Sequence, residues 1–336
     1  MKTITVSAPG KLMLLGEHAV VYGRPCIVTA VNQRMKATVE LTDEPIFSLD
    51  APDVQVTGYQ KPMDQLGVGD PLTPLAQKDS TSIPKGAKFV EIALYNFYNN
   101  YKGYTKKGGI RVTTKSEFSS QFGFGSSSAS TVCVIKALSE ITGANLDNKT
   151  VFDLSYKTVL DIQGKGSGFD VAAAIYGGTL YFKKGGEIIE PLNVDSLPLI
   201  VGYSGIKADT VTLMNQVLEK DQLVVEGIYT DIGKLVEQAK PALLNKDWAT
   251  LGKLMDDNQK LLSELGVSIP KLDQMISAAT NAGAYGVKLS GAGGGDCMIT
   301  LAPEDKIQAV KDGIAAAGGQ VIEVGANVEG VKVENG

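Results

Sequence analysis

Four of the five residues from Gly291 to Gly295 are glycine. Such a run does not suit a helix or strand interior, because each glycine loses more backbone freedom on folding and offers no side chain to pack. A hairpin turn needs only one or two glycines. The segment therefore reads as a loop that requires special backbone dihedrals or a close approach to a ligand. Gly286 to Leu289 before it and Cys297 to Leu301 after it read as strands. A glycine loop facing inward from such a position suits a substrate or phosphate lying between two domains.

Three other segments carry chemistry. In Gly123-Phe124-Gly125-Ser126-Ser127-Ser128-Ala129 the small residues let backbone N–H groups approach a ligand. Ala129, Val132, Cys133, Ala137 and Ile141 then recur at helical spacing, which predicts a helix over Ser126–Ile141. Its first amides and positive dipole end complete a phosphate cradle. Serines that merely cap the helix are the competing reading, although one cap residue would suffice. Neither a Walker A pattern nor a Gly-x-Gly-x-x-Gly fingerprint occurs. Near the N-terminus, Lys11, Glu17 and His18 cluster around Ser7–Leu12 and Gly16–Gly23. His18 is the only histidine, and beside a glutamate it can orient an anionic or hydroxylated ligand. In Gly164–Ala174, Asp170 stands just past a glycine loop at a predicted helix N-terminus. It either complements the helix dipole or accepts a proton from a substrate hydroxyl.

Charge limits what those segments can bind. The 336 residues carry 37 acidic and 32 basic side chains, a net charge of −5, which gives no electrostatic basis for nucleic acid or anionic membrane as a partner. An anionic substrate must be held by a few local cations and backbone amides. The three cysteines are far apart and form no Cys-x-x-Cys pair, so neither a disulfide framework nor a zinc cluster is expected. No stretch approaches the roughly 18 apolar residues of a membrane span, and Met1–Gly10 lacks a signal-peptide core. A cytoplasmic protein is expected.

The predicted elements are α+β without regular alternation. A strand from Ile4 to Ser7 ends in a turn at Pro9-Gly10, and a long strand covers Ile27–Leu41. Residues Asp50–Gly86, rich in Pro, Gly, Asp and Gln, read as a loop or lid. Helices are predicted over Lys88–Tyr101, Val151–Ile162 and Gly168–Tyr176. In the second half, Trp248, Leu251, Leu254, Met255 and Leu262 line one helix face.

Taken in this order, the segments resemble the GHMP kinase superfamily along nearly the whole chain. Ala8-Pro9-Gly10-Lys11 with Gly16-Glu17-His18-Ala19-Val20-Val21-Tyr22-Gly23 is closest to the mevalonate kinase form. Gly125–Ala129 resembles the ATP-phosphate loop, Lys288–Gly295 the C-terminal glycine loop, and Tyr203-Ser204-Gly205 with Thr210 the start of the C-terminal domain. The resemblance implies a two-domain fold. An N-terminal ATP-binding domain like ribosomal protein S5 would cover 1–190, and a ferredoxin-like domain 191–336. It implies ATP and Mg²⁺ as cofactors and mevalonate as the acceptor. Asp170 would take the hydroxyl proton and Lys11 would stabilise charge on the transferring phosphoryl group. Glu17, His18 and Thr210 would orient the substrate. Gly123, Gly125, Ser126, Ser127 and Ser128 would hold the nucleotide, with Ser127 also on the metal. A homodimer is compatible with the sequence.

Two departures stand out. The glutamate that mevalonate kinases usually place eleven residues before the aspartate is here Val159. The segment Gln163–Ala174 looks more like phosphomevalonate kinase, whose acceptor is already a phosphate monoester. That alternative needs one more cation, for which Lys106, Lys107, Lys165 and Lys207 are candidates. A ligand sensor without catalysis fits less well, since Lys11, Ser127 and Asp170 are all retained.

Overall fold

The computed structural model describes residues 2–66, 83–101 and 108–335. Chain order begins β1 (Thr3–Leu15), β2 (Cys26–Thr42), β3 (Ile46–Ala51), β4 (Val56–Pro62), α1 (Lys88–Asn100) and β5 (Gly109–Ser116). There follow α2 (Ser126–Thr142), α3 (Asn148–Gln163), α4 (Phe169–Tyr176), β6 (Thr179–Lys183) and β7 (Ile188–Leu192). The remainder is β8 (Leu199–Tyr203), α5 (Thr210–Leu218), α6 (Gln222–Leu244), α7 (Trp248–Glu264) and α8 (Pro270–Asn281), then β9 (Gly286–Ser290), β10 (Cys297–Leu301), α9 (Ile307–Ala316), β11 (Gln320–Ile322) and β12 (Lys332–Asn335).

Two sheets organise these elements. The first runs β12-β1-β2-β5-β3-β4, with β6 joined to β2 and β7 to β6. Its pairs are antiparallel except β3 with β5. The second runs β11-β8-β10-β9, antiparallel throughout. The last strand, β12, thus returns from the second half to pair with β1 in the first sheet.

Helix α2 shows how the first core is built. Ala129, Val132, Cys133, Ala137 and Ile141 are buried, and Gly143, at φ 81°, ends the helix in the left-handed cap that glycine adopts without a Cβ penalty. Helix α3 starts at Asp147, whose side chain accepts the N–H of Thr150 at 2.8 Å, and ends at Gly164. All three cysteines are buried and free. In the second half the α7 residues Leu251, Leu254, Met255 and Leu262 are buried, as their spacing predicts.

Two expectations are corrected. There is no turn at Pro9-Gly10. β1 runs straight through, with a register shift against β2 at that point. Such an irregularity lets a strand carry a proline, which has no N–H for the ladder. The stretch from Asp50 is not a loop up to residue 62 either. β3 alternates buried Phe47, Leu49 and Ala51 with more exposed neighbours, and β4 pairs with it. Pro52 and Asp53 belong to the short connection between the two strands, while Asp50 lies in β3 and Gly58 and Pro62 lie in β4, and this turn-like composition masked the alternation. The rest of the proposed lid, residues 67–82, and the candidates Lys106 and Lys107 lie outside the described residues. Sequence reading also missed β7, in which only Leu192 is buried. No helix among the described residues is long and apolar enough to cross a membrane.

Candidate active site

A cavity of about 720 Å³ opens where β1, the start of α2, the loop before α4 and the glycine loop after β9 converge. Lys11, Glu17, His18, Gly123, Gly125, Ser126, Ser127, Ser128 and Asp170, all singled out from the sequence, line it. Thr210 is the first residue of α5, and its side chain lies outside the described residues.

Lys11 enters from β1 beyond the register shift. Its backbone N–H donates to the Phe124 carbonyl at 3.0 Å, and Nζ donates to the Gly123 carbonyl at 2.8 Å. Nζ also lies 5.2 Å from the centre of the Phe169 ring, within cation–π range. Burial pushes the Lys11 ammonium below its ordinary range, while Asp170 and Asp296 pull it back up.

The loop from Gly123 to Gly125 must be glycine for two separate reasons. Gly123 and Gly125 have φ of 73° and 78°, a region that penalises a Cβ. A Cβ on Gly123 would also fall 2.6 Å from Oδ2 of Asp296, and one on Gly125 would come within 3.2 Å of Lys11 Cε and 3.6 Å of Asp170 Cβ. Gly125 is the N-cap of α2, so no side chain caps the helix there. The first intrahelical bond is Ala129 N–H to the Gly125 carbonyl at 3.0 Å. The amides before Ala129 therefore have no partner in the helix ladder, and they sit at the cavity wall. This favours the phosphate cradle over serines acting only as caps.

Asp170 sits in the first turn of α4. Ser128 Oγ donates to its Oδ2 at 2.6 Å and the Val171 N–H to its Oδ1 at 3.1 Å. The Ser128 hydroxyl, expected to bind nucleotide, is thus committed to orienting the aspartate.

His18 adopts φ 59°, which turns its ring toward the glycine loop, and Nε2–H donates to the Ala292 carbonyl at 2.8 Å. Burial pushes the imidazole below its ordinary range, and the Ala292 bond only partly restores it. Glu17 is ion-paired with Lys288 on β9, and both side chains are fully buried. Burial pushes the Glu17 carboxyl up and the Lys288 ammonium down, and their mutual attraction opposes both shifts. Glu17 therefore acts from behind His18 as a strut between β1 and the second sheet.

Sequence reasoning missed Lys288 and Asp296 as functional side chains. Asp296 has φ 54°, follows the glycine run and is buried. Its Oδ1 accepts the Ala208 N–H at 3.0 Å and Lys207 Nζ at 3.1 Å. An aspartate directly after a run of three glycines was the signal available in the sequence.

Comparison with known proteins accords with this geometry. Residues 88–178 match the GHMP kinases N terminal domain, and residues 239–320 match the GHMP kinases C terminal family. A mevalonate kinase of Thermococcus gammatolerans is 35% identical over 98% of this chain and 98% of its own length. One from Pyrococcus horikoshii is 34% identical over 99% of this chain and 98% of its own. The crystal structure of the Methanococcus jannaschii mevalonate kinase superposes with a TM-score of 0.78 at 25% identity, covering 99% of each chain. With relatives this similar along their whole length, and with Lys11, Asp170 and the α2 loop gathered on one cavity, the chain belongs to the GHMP kinase superfamily.

Proposed function

We propose that this protein transfers the γ-phosphoryl group of ATP to the primary hydroxyl of mevalonate, giving 5-phosphomevalonate and ADP. The names of the full-length relatives support the acceptor. One geometric observation carries the chemistry: Lys11 and Asp170 flank Gly125 at the start of α2, each within contact distance of the position a Cβ would take there. A base, a cation and a phosphate-binding backbone thus meet at one point.

The amides at the start of α2 hold the nucleotide phosphates. Asp170, fixed by Ser128 and the Val171 N–H, takes the proton from the acceptor hydroxyl as the oxygen attacks the γ-phosphorus. The bond to the β-phosphate oxygen breaks and ADP leaves. Lys11 stabilises the charge that spreads over the transferring group. His18 donates to Ala292 and so is the Nε2–H tautomer, which leaves Nδ1 as an acceptor for an acceptor hydroxyl.

Magnesium would be held at this wall chiefly as a nucleotide-borne ion. Val159 lines the cavity, whereas Asp161 accepts from Asn96 at 2.8 Å and Lys157 at 2.5 Å. Among the described residues no group of three acidic, histidine or cysteine side chains could hold a metal. Ser127 and the nucleotide oxygens would be its ligands, and when bound it would neutralise charge on the phosphates. The reading carries a nucleotide-binding unit through residue 190, a second unit beyond it and a cytoplasmic location. ADP release measured with mevalonate and with phosphomevalonate as separate acceptors tests it. Turnover on mevalonate is expected, and turnover on phosphomevalonate alone would overturn it.

A further inference from the structure

We infer that Lys207 is the acceptor-specificity cation of this site, receiving the carboxylate of the acceptor, and that Asp296 positions it. The inference rests on mevalonate as the acceptor and goes one step further, to how its anionic end is recognised.

The acceptor carries a carboxylate at the end remote from the reacting hydroxyl, and that charge needs a partner when it leaves water. On the acceptor side the obvious groups are already spent. Glu17 and Lys288 neutralise each other in full burial. His18 is held toward its neutral form by burial and donates to Ala292. Four described lysines line the cavity: Lys11, Lys85, Lys165 and Lys207. Lys11 is bonded to the phosphate loop through Gly123. Lys85 precedes α1, and Lys165 lies in the loop between α3 and α4, so both come from the first sheet's side. Lys207 alone of the four comes from the second sheet, on the connection between β8 and α5. That connection leads to Thr210. The loop it packs against also carries Ala292, the partner of His18.

Lys207 is held rather than loose. Nζ lies 3.1 Å from Asp296 Oδ1 and 3.3 Å from Oδ2. Asp296 is itself fixed from three directions: its N–H donates to Ile206 at 2.7 Å, its carbonyl accepts the Ser204 N–H at 2.9 Å, and its Oδ1 accepts the Ala208 N–H at 3.0 Å. These bonds tie the lysine-bearing connection to the glycine loop. The left-handed backbone at Asp296, φ 54°, would suit glycine better. Strain of that sort persists only where the surroundings over-determine it, and it clusters at ligand clamps. The Asp296 side chain is 10% exposed while that of Lys207 is 50% exposed. The carboxylate is thus an anchor within the wall, and the ammonium keeps donor capacity for a ligand.

The test compares mevalonate with its uncharged primary amide as acceptors, at saturating ATP, for the wild-type protein and the K207M, K207R and D296N variants. The wild type should prefer the carboxylate. In K207M the mevalonate KM should rise roughly 10-fold or more, the scale of a lost charge-assisted hydrogen bond. The preference over the amide should collapse and the KM for ATP should hold within about two-fold. K207R should recover much of the preference. D296N keeps an acceptor for the Ala208 amide but frees the lysine, so it should lose part of the preference. A purely structural role would depress both acceptors alike. Retention of the preference in K207M, or a rise confined to the KM for ATP, would overturn the inference. Failure of the wild type on mevalonate would instead sink the proposed function itself.

Discussion

Asp170 can serve as a base only if its carboxylate is aimed, and two donors do the aiming. Ser128 Oγ at 2.6 Å and the Val171 N–H at 3.1 Å fix both oxygens on the first turn of a short helix. Asp170→Asn preserves shape and removes the base. We expect kcat to fall on the order of 100-fold or more with the mevalonate KM little changed. Steady-state kinetics check this, and near wild-type kcat with a raised KM would mean that Asp170 only binds. Ser128→Ala leaves the base present but less well held, and kcat should fall roughly 10-fold, less than in Asp170→Asn. His18 gives a second handle. Its folded-state affinity for protons is below that of the unfolded chain because of burial. The unfolded state therefore binds more protons as pH drops, and stability should fall as pH goes below the ordinary histidine range of about 6.5. His18→Asn should flatten part of that slope in thermal denaturation at a series of pH values. An equal slope in the variant would place the titrating group elsewhere. As His18 is the sole histidine, its ring resonances report the titration directly.

At the scale of elements, motif and fold reinforce each other where the chemistry is local in sequence. The α2 loop and Asp170 were legible because glycine and aspartate at a helix start carry their physical meaning within a few residues; Lys11 was singled out beside an expected turn, and it lies instead within β1. The strands β3 and β4 were not, since a composition suited to their connection concealed a six-residue alternation. The ion pairs could not be read at all. Lys207 and Asp296 are 89 positions apart, and Glu17 and Lys288 are 271 apart. Only the pairing of β8 with β10, and the packing of the end of β1 against β9, bring them together. Two residues turn a helix by about 200°, so Val159 faces the cavity while Asp161 turns to Asn96 and Lys157. Val159→Glu should place a carboxylate at the cavity wall and lower the Mg²⁺ concentration needed for half-maximal rate. A magnesium titration of both forms checks it, and an unchanged requirement would mean that position 159 does not reach the metal.

Across the whole molecule, the site exists only while the two sheets stay in register. β1 runs through the first sheet to Leu15, and two residues beyond it Glu17 pairs with Lys288 on β9. The hydrogen bonds of Ser290 Oγ with Met13, 3.1 Å from its N–H and 3.0 Å to its carbonyl, reinforce the same seam. Glu17→Gln would leave a buried ammonium without its counter-charge, and we expect a loss of about 3 kcal/mol in urea denaturation. The Glu17→Gln/Lys288→Met double variant should regain part of it, and no loss in the single variant would show that the pair is not a strut. The proposed reaction moves a phosphoryl group onto mevalonate in this cavity with Asp170 as its base. Its most direct test is ³¹P NMR of the products formed from Mg-ATP and mevalonate by the wild type and by Asp170→Asn. The wild type should yield one new phosphomonoester per ADP, and the variant almost none. ADP without the monoester, or equal monoester from the variant, would contradict the account.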